Sequence, residues 1–197
     1  MGQTNKRIAD SIIDAAKRIY LRGINTTMSG NISAKISSNT ILITPSALDK
    51  FNIDYRRLSL MDFNSERLIS GPRQSSEYQV HTHIYRARKD VNAIVHPHPQ
   101  YSLAIIDALG RGVLKELAKD EEYVYYIGKV GVVGRIPAGT KELADAVAKE
   151  VSKGARVVIM EGHGTIGVGK TMQEALGAAE YLEHMAKKLF IIKMLGK

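Results

Sequence analysis

The sequence predicts an α/β domain whose sheet is mixed or largely antiparallel, with helices on both faces. Three observations carry this. Segments with apolar residues at helical spacing alternate along the chain with short runs rich in valine and isoleucine. Several connections between those runs are too short to hold a helical crossover, which argues against a purely parallel sheet. The 197 residues, 44% hydrophobic and 24% charged, fit one globular domain spanning 1–197 rather than a disordered or fibrous chain.

From Lys6 to Leu21 the residues Ile8, Ile12, Ala15, Ala16 and Ile19 recur at helical spacing, and Gly23 offers a stop. A glycine- and serine-containing stretch from Thr26 to Ser33 follows and reads as a loop. Ile41-Leu42-Ile43 is a strand, ended at Thr44-Pro45-Ser46-Ala47 because proline cannot continue a ladder. Ser59 to Gly71 is a meander turning at Asn64-Ser65. Ser76-Glu77-Tyr78-Gln79 fits a capping box that opens a helix through about Lys89, and Val91 to His98 has strand character. Tyr101 to Leu109 is helical. Tyr123 to Ile136 is rich in Val and Tyr and predicts one or two strands. Thr140 caps a helix to Ser152, Arg156 to Met160 is a buried strand, and Thr165 to Val168 returns beside it after a turn at 161–164. A second capping box, Thr171 to Glu174, opens a final helix reaching nearly to Leu195.

Composition narrows the chemistry. No apolar run approaches the roughly 18 to 20 residues of a membrane span, and the opening MGQTNKRIAD lacks the apolar core of a signal peptide, so a cytoplasmic protein without a membrane partner is expected. Without cysteine, a metal site must use His, Asp or Glu. The formal charge of +8 favours an anionic partner, either a polyanion or a small phosphorylated metabolite. The basic residues are scattered and form no helix-turn-helix, zinc-finger or RNP pattern, which argues against nucleic acid.

His96-Pro97-His98 is the sharpest local feature. In an extended segment residues i and i+2 leave the same face and can share one metal ion, although the spacing serves equally for two surface imidazoles at a strand end. His81-Thr82-His83 has the same spacing in a predicted helix, where the two side chains point about 200° apart and chelate together poorly. Catalytic zinc usually takes three protein ligands and keeps one position open. His163, flanked by Gly162 and Gly164 in a turn, is a candidate third ligand, or else a turn histidine held by local hydrogen bonds. Glu77, in the first helical turn, complements the helix dipole. As a general base it would instead need proximity to the metal and a pKa shifted toward neutrality. Ser75 and Ser76 at that helix start, Ser29-Gly30-Asn31, and Thr44-Pro45-Ser46 are small-residue loops of the kind that present backbone donors to an anion.

Ser29-Gly30-Asn31-Ile32-Ser33, Thr44-Pro45-Ser46, Ser75-Ser76-Glu77, Val95-His96-Pro97-His98 and Gly162-His163-Gly164 occur in the order and approximate spacing of the class II aldolase/adducin family, which the chain resembles over nearly its whole length. Within that family it is most similar to L-fuculose-phosphate aldolases. The resemblance implies a three-layer α/β/α fold with a mixed, mostly antiparallel central sheet, and a homotetramer with active sites between subunits. It implies that His96, His98 and His163 bind one Zn2+ or another divalent ion, and that Glu77 is the catalytic acid/base. Gly30, Asn31, Ser46, Ala47, Ser75 and Ser76 would surround the phosphate of a small phosphorylated sugar. The activity implied is cleavage of a ketose 1-phosphate to dihydroxyacetone phosphate and an aldehyde. The same family holds pentose-phosphate 4-epimerases, sugar-acid phosphate decarboxylases and methylthioribulose-phosphate dehydratases, and also non-enzymatic adducin-like modules that have lost metal ligands. Ala47 departs from the glycine many relatives carry, and no tyrosine follows Tyr181, whereas some fuculose-phosphate aldolases use one in the C-terminal tail.

Overall fold

A computed structural model describes residues 3–196 of the chain. Its centre is one eight-stranded sheet: β1 (Asn31–Lys35), β2 (Thr40–Ile43), β3 (Ser59–Asp62), β4 (Arg67–Ser70), β5 (Ala93–His96), β6 (Val130–Val133), β7 (Val157–Met160) and β8 (Gly164–Gly169). The strands lie in the order β4-β3-β2-β1-β5-β8-β7-β6. Every neighbouring pair is antiparallel except β6 and β7, which run parallel with α5 (Lys141–Ser152) as the crossover between them. The sheet is therefore mixed and mostly antiparallel.

The two faces follow from the period of two along each strand. Ile41, Ile43, Ile94, Val158, Met160, Ile166 and Val168 face one side, where they pack with residues of α2 (Tyr78–Ala87) and α5. Leu42, Ala93 and Val95 face the other side, under α1 (Gln3–Leu21) and the start of α6 (Met172–Met194). Val157 and Ile159 continue that face toward α3 (Gln100–Leu109), the short α4 (Leu114–Leu117) and α6. This is a three-layer α/β/α arrangement. No helix among the described residues is long and apolar enough to cross a membrane.

Two helix starts behave as their sequences predict: the Thr140 hydroxyl accepts from the Leu143 N–H and the Thr171 hydroxyl from the Glu174 N–H. Four expectations are corrected. The 26–33 stretch is not loop throughout, because it ends in β1, which pairs with both β2 and β5. Tyr123–Ile127 is a π-helical turn and not a strand; Tyr123 and Ile127 bury while Val124 and Tyr125 are exposed, and only β6 is extended in that region. The Ser76 capping box does not form. Glu77 occupies the cap position without a side-chain cap bond, the Ser75 hydroxyl takes the Glu77 N–H at 3.2 Å, and Gln79 turns its amide to Glu66. The helix it opens stops at Ala87, short of Lys89.

Candidate metal and phosphate site

Four functional side chains arrive from three places in the fold. His96 ends β5, and His98 follows it across Pro97. His163 lies in the turn between β7 and β8, and Glu77 stands at the start of α2. One ligand atom from each of Glu77, His96, His98 and His163 lies within 4.8 Å of every other. The Nε2 atoms of His96 and His98 are 3.1 Å apart. Glu77 spans the group, with Oε2 3.0 Å from His96 Nε2 and Oε1 3.0 Å from His163 Nε2. The identical spacing 81–83 does not join them, since neither His81 nor His83 belongs to the group.

Two glycines make the convergence possible. A Cβ on Gly164 would meet His96 Cε1 and the Pro97 carbonyl at 2.7 Å, so a side chain there would push β8 off the histidine pair. Gly30 has φ +68°, and a Cβ would meet the His96 carbonyl at 2.3 Å. The loop it belongs to is clamped to the site by Asn25, which the motif reading missed: its Oδ1 accepts from the His98 N–H at 2.6 Å, and its Nδ2 donates to the Ser29 carbonyl at 3.1 Å.

The donor set fits a divalent cation. His96 Nδ1 donates to the Thr165 carbonyl at 2.8 Å, which leaves the Nε2 lone pair directed at the group. Glu77 Oε1 is buried and has no hydrogen-bond partner, despite its proximity to His163. A buried carboxylate oxygen without a partner is costly, and a cation among these four groups would remove that cost. Three imidazoles and a carboxylate are ligands that zinc and its neighbours accept.

Charge is distributed accordingly. Burial pushes the Glu77 carboxyl upward, but the adjoining His163 and His96 outweigh it and hold the group well below the ordinary carboxylate range. That direction is opposite to the shift toward neutrality expected of a general base, and it keeps the group ionised as a ligand or proton acceptor. Burial, together with the neighbouring His96 and His163, lowers His98 to about 3, so it stands as a neutral imidazole.

The small-residue loops lie alongside. Ser46 follows β2, and its hydroxyl accepts from the Ser76 N–H at 2.8 Å and donates to the Gln74 carbonyl at 3.0 Å, tying the Thr44–Ala47 loop to the Ser75–Ser76 loop. Ala47 has φ +53°, the left-handed conformation in which a glycine would be unstrained. Asn31 is placed differently from the serines. It is buried, its Nδ2 donates to Glu77 Oε2 at 3.0 Å, and its Oδ1 meets His81 Nε2, so its amide is committed to the carboxylate side. Lys50 was not legible as a site residue. It is only 5% exposed, its ammonium donates to the Met28 carbonyl at 2.7 Å, and its N–H donates to the Thr27 carbonyl. No carboxylate pairs with it among the described residues. A buried positive charge is thereby left beside the loops.

A sheet of this topology carrying a three-histidine, one-carboxylate cluster at its strand ends defines a class of metal-dependent enzymes, and comparison with known proteins specifies it. Residues 10–190 match the model of the class II aldolase and adducin N-terminal domain, and the chain belongs to that family. It is 30% identical over 190 residues to a 3-oxo-tetronate 4-phosphate decarboxylase of Pectobacterium atrosepticum, covering 96% of this chain and 86% of that one. It is 32% identical over 179 residues to an L-fuculose phosphate aldolase of Methanococcus vannielii, covering 91% and 93%. The solved structure of a sugar-phosphate aldolase from Thermotoga maritima superposes with a TM-score of 0.85 at 21% identity, covering 99% of this chain and 97% of that one, a likeness of fold.

Proposed function

We propose that this protein is a divalent-metal-dependent carbon–carbon lyase acting on a phosphorylated α-hydroxy ketone, with decarboxylation of a 3-oxo sugar-acid phosphate as the first reading. The observation that carries it is the ionised, incompletely bonded Glu77 among His96, His98 and His163, beside two serine loops tied together by Ser46. The expectation of a fuculose-type aldolase is thus moved to second place, since a decarboxylase is as good a relative over more of the chain. The two readings share their chemistry. A 3-oxo-tetronate 4-phosphate carries, from its phosphate end, the same phosphate, ketone and hydroxyl carbons as a ketose 1-phosphate. The next carbon leaves as carbon dioxide in one case and as an aldehyde in the other. Both cleavages deposit an electron pair on the same three-carbon fragment, as the enediolate of dihydroxyacetone phosphate.

A divalent ion held by His96, His98 and His163, for which zinc is our choice, would polarise the ketone and hydroxyl oxygens and stabilise the charge that develops. The rest of the work falls to the chain. Ser46, Ser75, Ser76, the backbone around Gly30 and Ala47, and the buried Lys50 would hold the phosphate and so position the reacting carbon. Glu77 would carry the proton to that carbon, or remove it in the reverse direction, while Asn31 holds one of its oxygens. The exposed Phe190, Ile191, Met194 and Leu195 at the end of α6 are consistent with the proposed homotetramer.

The test is to incubate zinc-loaded protein with 3-oxo-tetronate 4-phosphate and, separately, with ketose 1-phosphates. Carbon dioxide with dihydroxyacetone phosphate supports the first reading, and free aldehyde with dihydroxyacetone phosphate the second. Epimerised pentose phosphate, or loss of water from methylthioribulose phosphate, would replace both. Glu77→Gln should retain the metal and lose about 10² to 10⁴ of turnover, and should also stop exchange of the C3 proton of dihydroxyacetone phosphate with solvent. Near-normal exchange in that variant would remove Glu77 from the mechanism.

A further inference from the structure

Beside Glu77 lies a line of buried polar groups of which the proposed chemistry uses only Asn31. Asn31 and Ser33 are alternate residues on the α2 face of β1, and His81 and Tyr85 are one turn apart on α2. Ser33, His81 and Tyr85 are fully buried, and Asn31 is nearly so. Tyr85 Oη is 2.8 Å from Ser33 Oγ, and Ser33 Oγ is 2.7 Å from His81 Nδ1. His81 Nε2 meets Asn31 Oδ1, and Asn31 Nδ2 is 3.0 Å from Glu77 Oε2.

Donor and acceptor capacities fix the direction of the whole line once its end is set. An ionised carboxylate only accepts, so Asn31 must turn its NH₂ toward Glu77 and its carbonyl oxygen toward His81. That oxygen needs a donor, so the proton of His81 sits on Nε2. The neutral ring then offers a lone pair at Nδ1, the Ser33 hydroxyl donates to it, and the Tyr85 hydroxyl donates to Ser33. Burial supports the neutral ring, lowering His81 to about 3. Rotating the Asn31 amide by half a turn would set oxygen against carboxylate and N–H against N–H, so the His81 proton holds the amide in one orientation.

We propose that His81 is a positioning residue for Glu77, acting through Asn31: its Nε2–H locks the Asn31 amide with its NH₂ on Glu77 Oε2, which fixes the carboxylate between His96 and His163. This rests on the assignment of Glu77 as the proton carrier. Groups around an active carboxylate or metal ligand typically contribute 10- to 100-fold to affinity or activity when they fix its orientation.

Two measurements on the zinc-loaded protein test this. In protein labelled with ¹⁵N-histidine, with His81 identified by its loss in His81→Gln, the ring nitrogen shifts should report the Nε2–H neutral tautomer from pH 5.5 to 8.5. An Nδ1–H tautomer or a protonated ring would overturn the proposal; the tautomer is read in the unsubstituted protein, and His81→Gln serves only to assign the signal. In the second, His81→Phe should slow proton exchange into dihydroxyacetone phosphate by about 10- to 100-fold, with bound zinc unchanged and KM within about threefold. His81→Gln, whose amide nitrogen can stand where Nε2 stood, should recover most of that loss. Equal losses in the two variants, or a loss confined to KM, would overturn the positioning role. Exchange abolished in Glu77→Gln but unaffected in His81→Phe would overturn it alone. Exchange retained in Glu77→Gln would overturn the assignment beneath it as well.

Discussion

His81-Thr82-His83 and His96-Pro97-His98 are the same pattern, two histidines separated by one residue, with opposite outcomes. On α2 the pair diverges. His81 enters the layer beneath the sheet and bonds Ser33 and Asn31, while His83 lies between Asp145 at 2.7 Å and Glu66 at 3.3 Å, linking α2 to α5 and to the β3–β4 hairpin. At the end of β5 the pair converges, with ring centroids 4.7 Å apart and His163 closing over both. The backbone period decides, about 100° per residue in one case and about 180° in the other. The lesson extends to hydrogen bonding. The ring nitrogens of the helical pair are all matched to neighbours within the chain, whereas the strand pair stands beside Glu77, whose Oε1, on the His163 side, nothing in the chain satisfies. Unmet demand, more than the presence of histidine, marks where a ligand belongs.

The contrast can be broken most severely at the strand pair. His96→Ala should lower metal affinity by at least about 100-fold and abolish turnover, while His83→Gln leaves metal content intact; elemental analysis of the dialysed proteins compares them. Full occupancy in His96→Ala would show that the convergence is not a ligand set. Gly164→Ala attacks the same convergence without replacing a ligand. The 2.7 Å approaches to His96 and Pro97 should cost about 1 to 3 kcal/mol in denaturant unfolding and weaken metal binding with it. A variant as stable as the parent would mean that β8 can shift freely.

A smaller effect separates the two members of the helical pair. The folded-state pKa of His81 lies well below its unfolded value of 6.5, so protonation favours the unfolded chain. The stability that depends on the neutral ring is present above pH 6.5 and is lost as pH falls below it. Between pH 6.5 and 5 the parent should therefore lose stability more steeply than His81→Phe, by up to about 1.4 kcal/mol per pH unit, measured by urea titration. Parallel pH curves would show that His81 protonates at no cost. The least change is expected at His83. His83→Gln removes two partly exposed contacts to the Glu66 and Asp145 carboxylates and should alter stability by about 1 kcal/mol or less, with proton exchange unaffected.

What the sequence disclosed and what it hid have a common physical basis. The apolar strands β2, β5, β7 and β8 were legible because their buried faces are hydrocarbon. β1 was not, because its inward residues near the site, Asn31 and Ser33, are polar and buried. They belong to the hydrogen-bonded line beside Glu77. So although Asn31 to Lys35 alternates polar with apolar, one buried face is polar and the other offers only Ile32 and Ala34, too little to stand out after the loop-forming Ser29-Gly30. Tyr123–Ile127 misled in the opposite sense. Its β-favouring side chains sit in a helical turn because Tyr123 and Ile127, four apart, pack against α6 and its neighbours. At the site, Glu77 and the three histidines were visible as separate motifs, but only the fold brings them within 4.8 Å. Asn25 and Lys50 gave no signal, since each acts through contacts with backbone carbonyls or amides that no local pattern encodes.

The cluster also draws its members from distant parts of the chain: the head of α2, the tail of β5 and the turn before β8. None of those segments can gather the four groups unless β1, β5 and β8 are already side by side, so an ion with appreciable affinity would discriminate between the native chain and every partly folded one. Folding equilibrium and ion supply then become linked by mass action. At a free ion concentration a hundred times the dissociation constant, the native state would gain about 2.7 kcal/mol over the unfolded ensemble. Thermal midpoints should accordingly rise with added metal, and a shortage of metal would show itself first as a shorter lifetime of the protein against proteolysis.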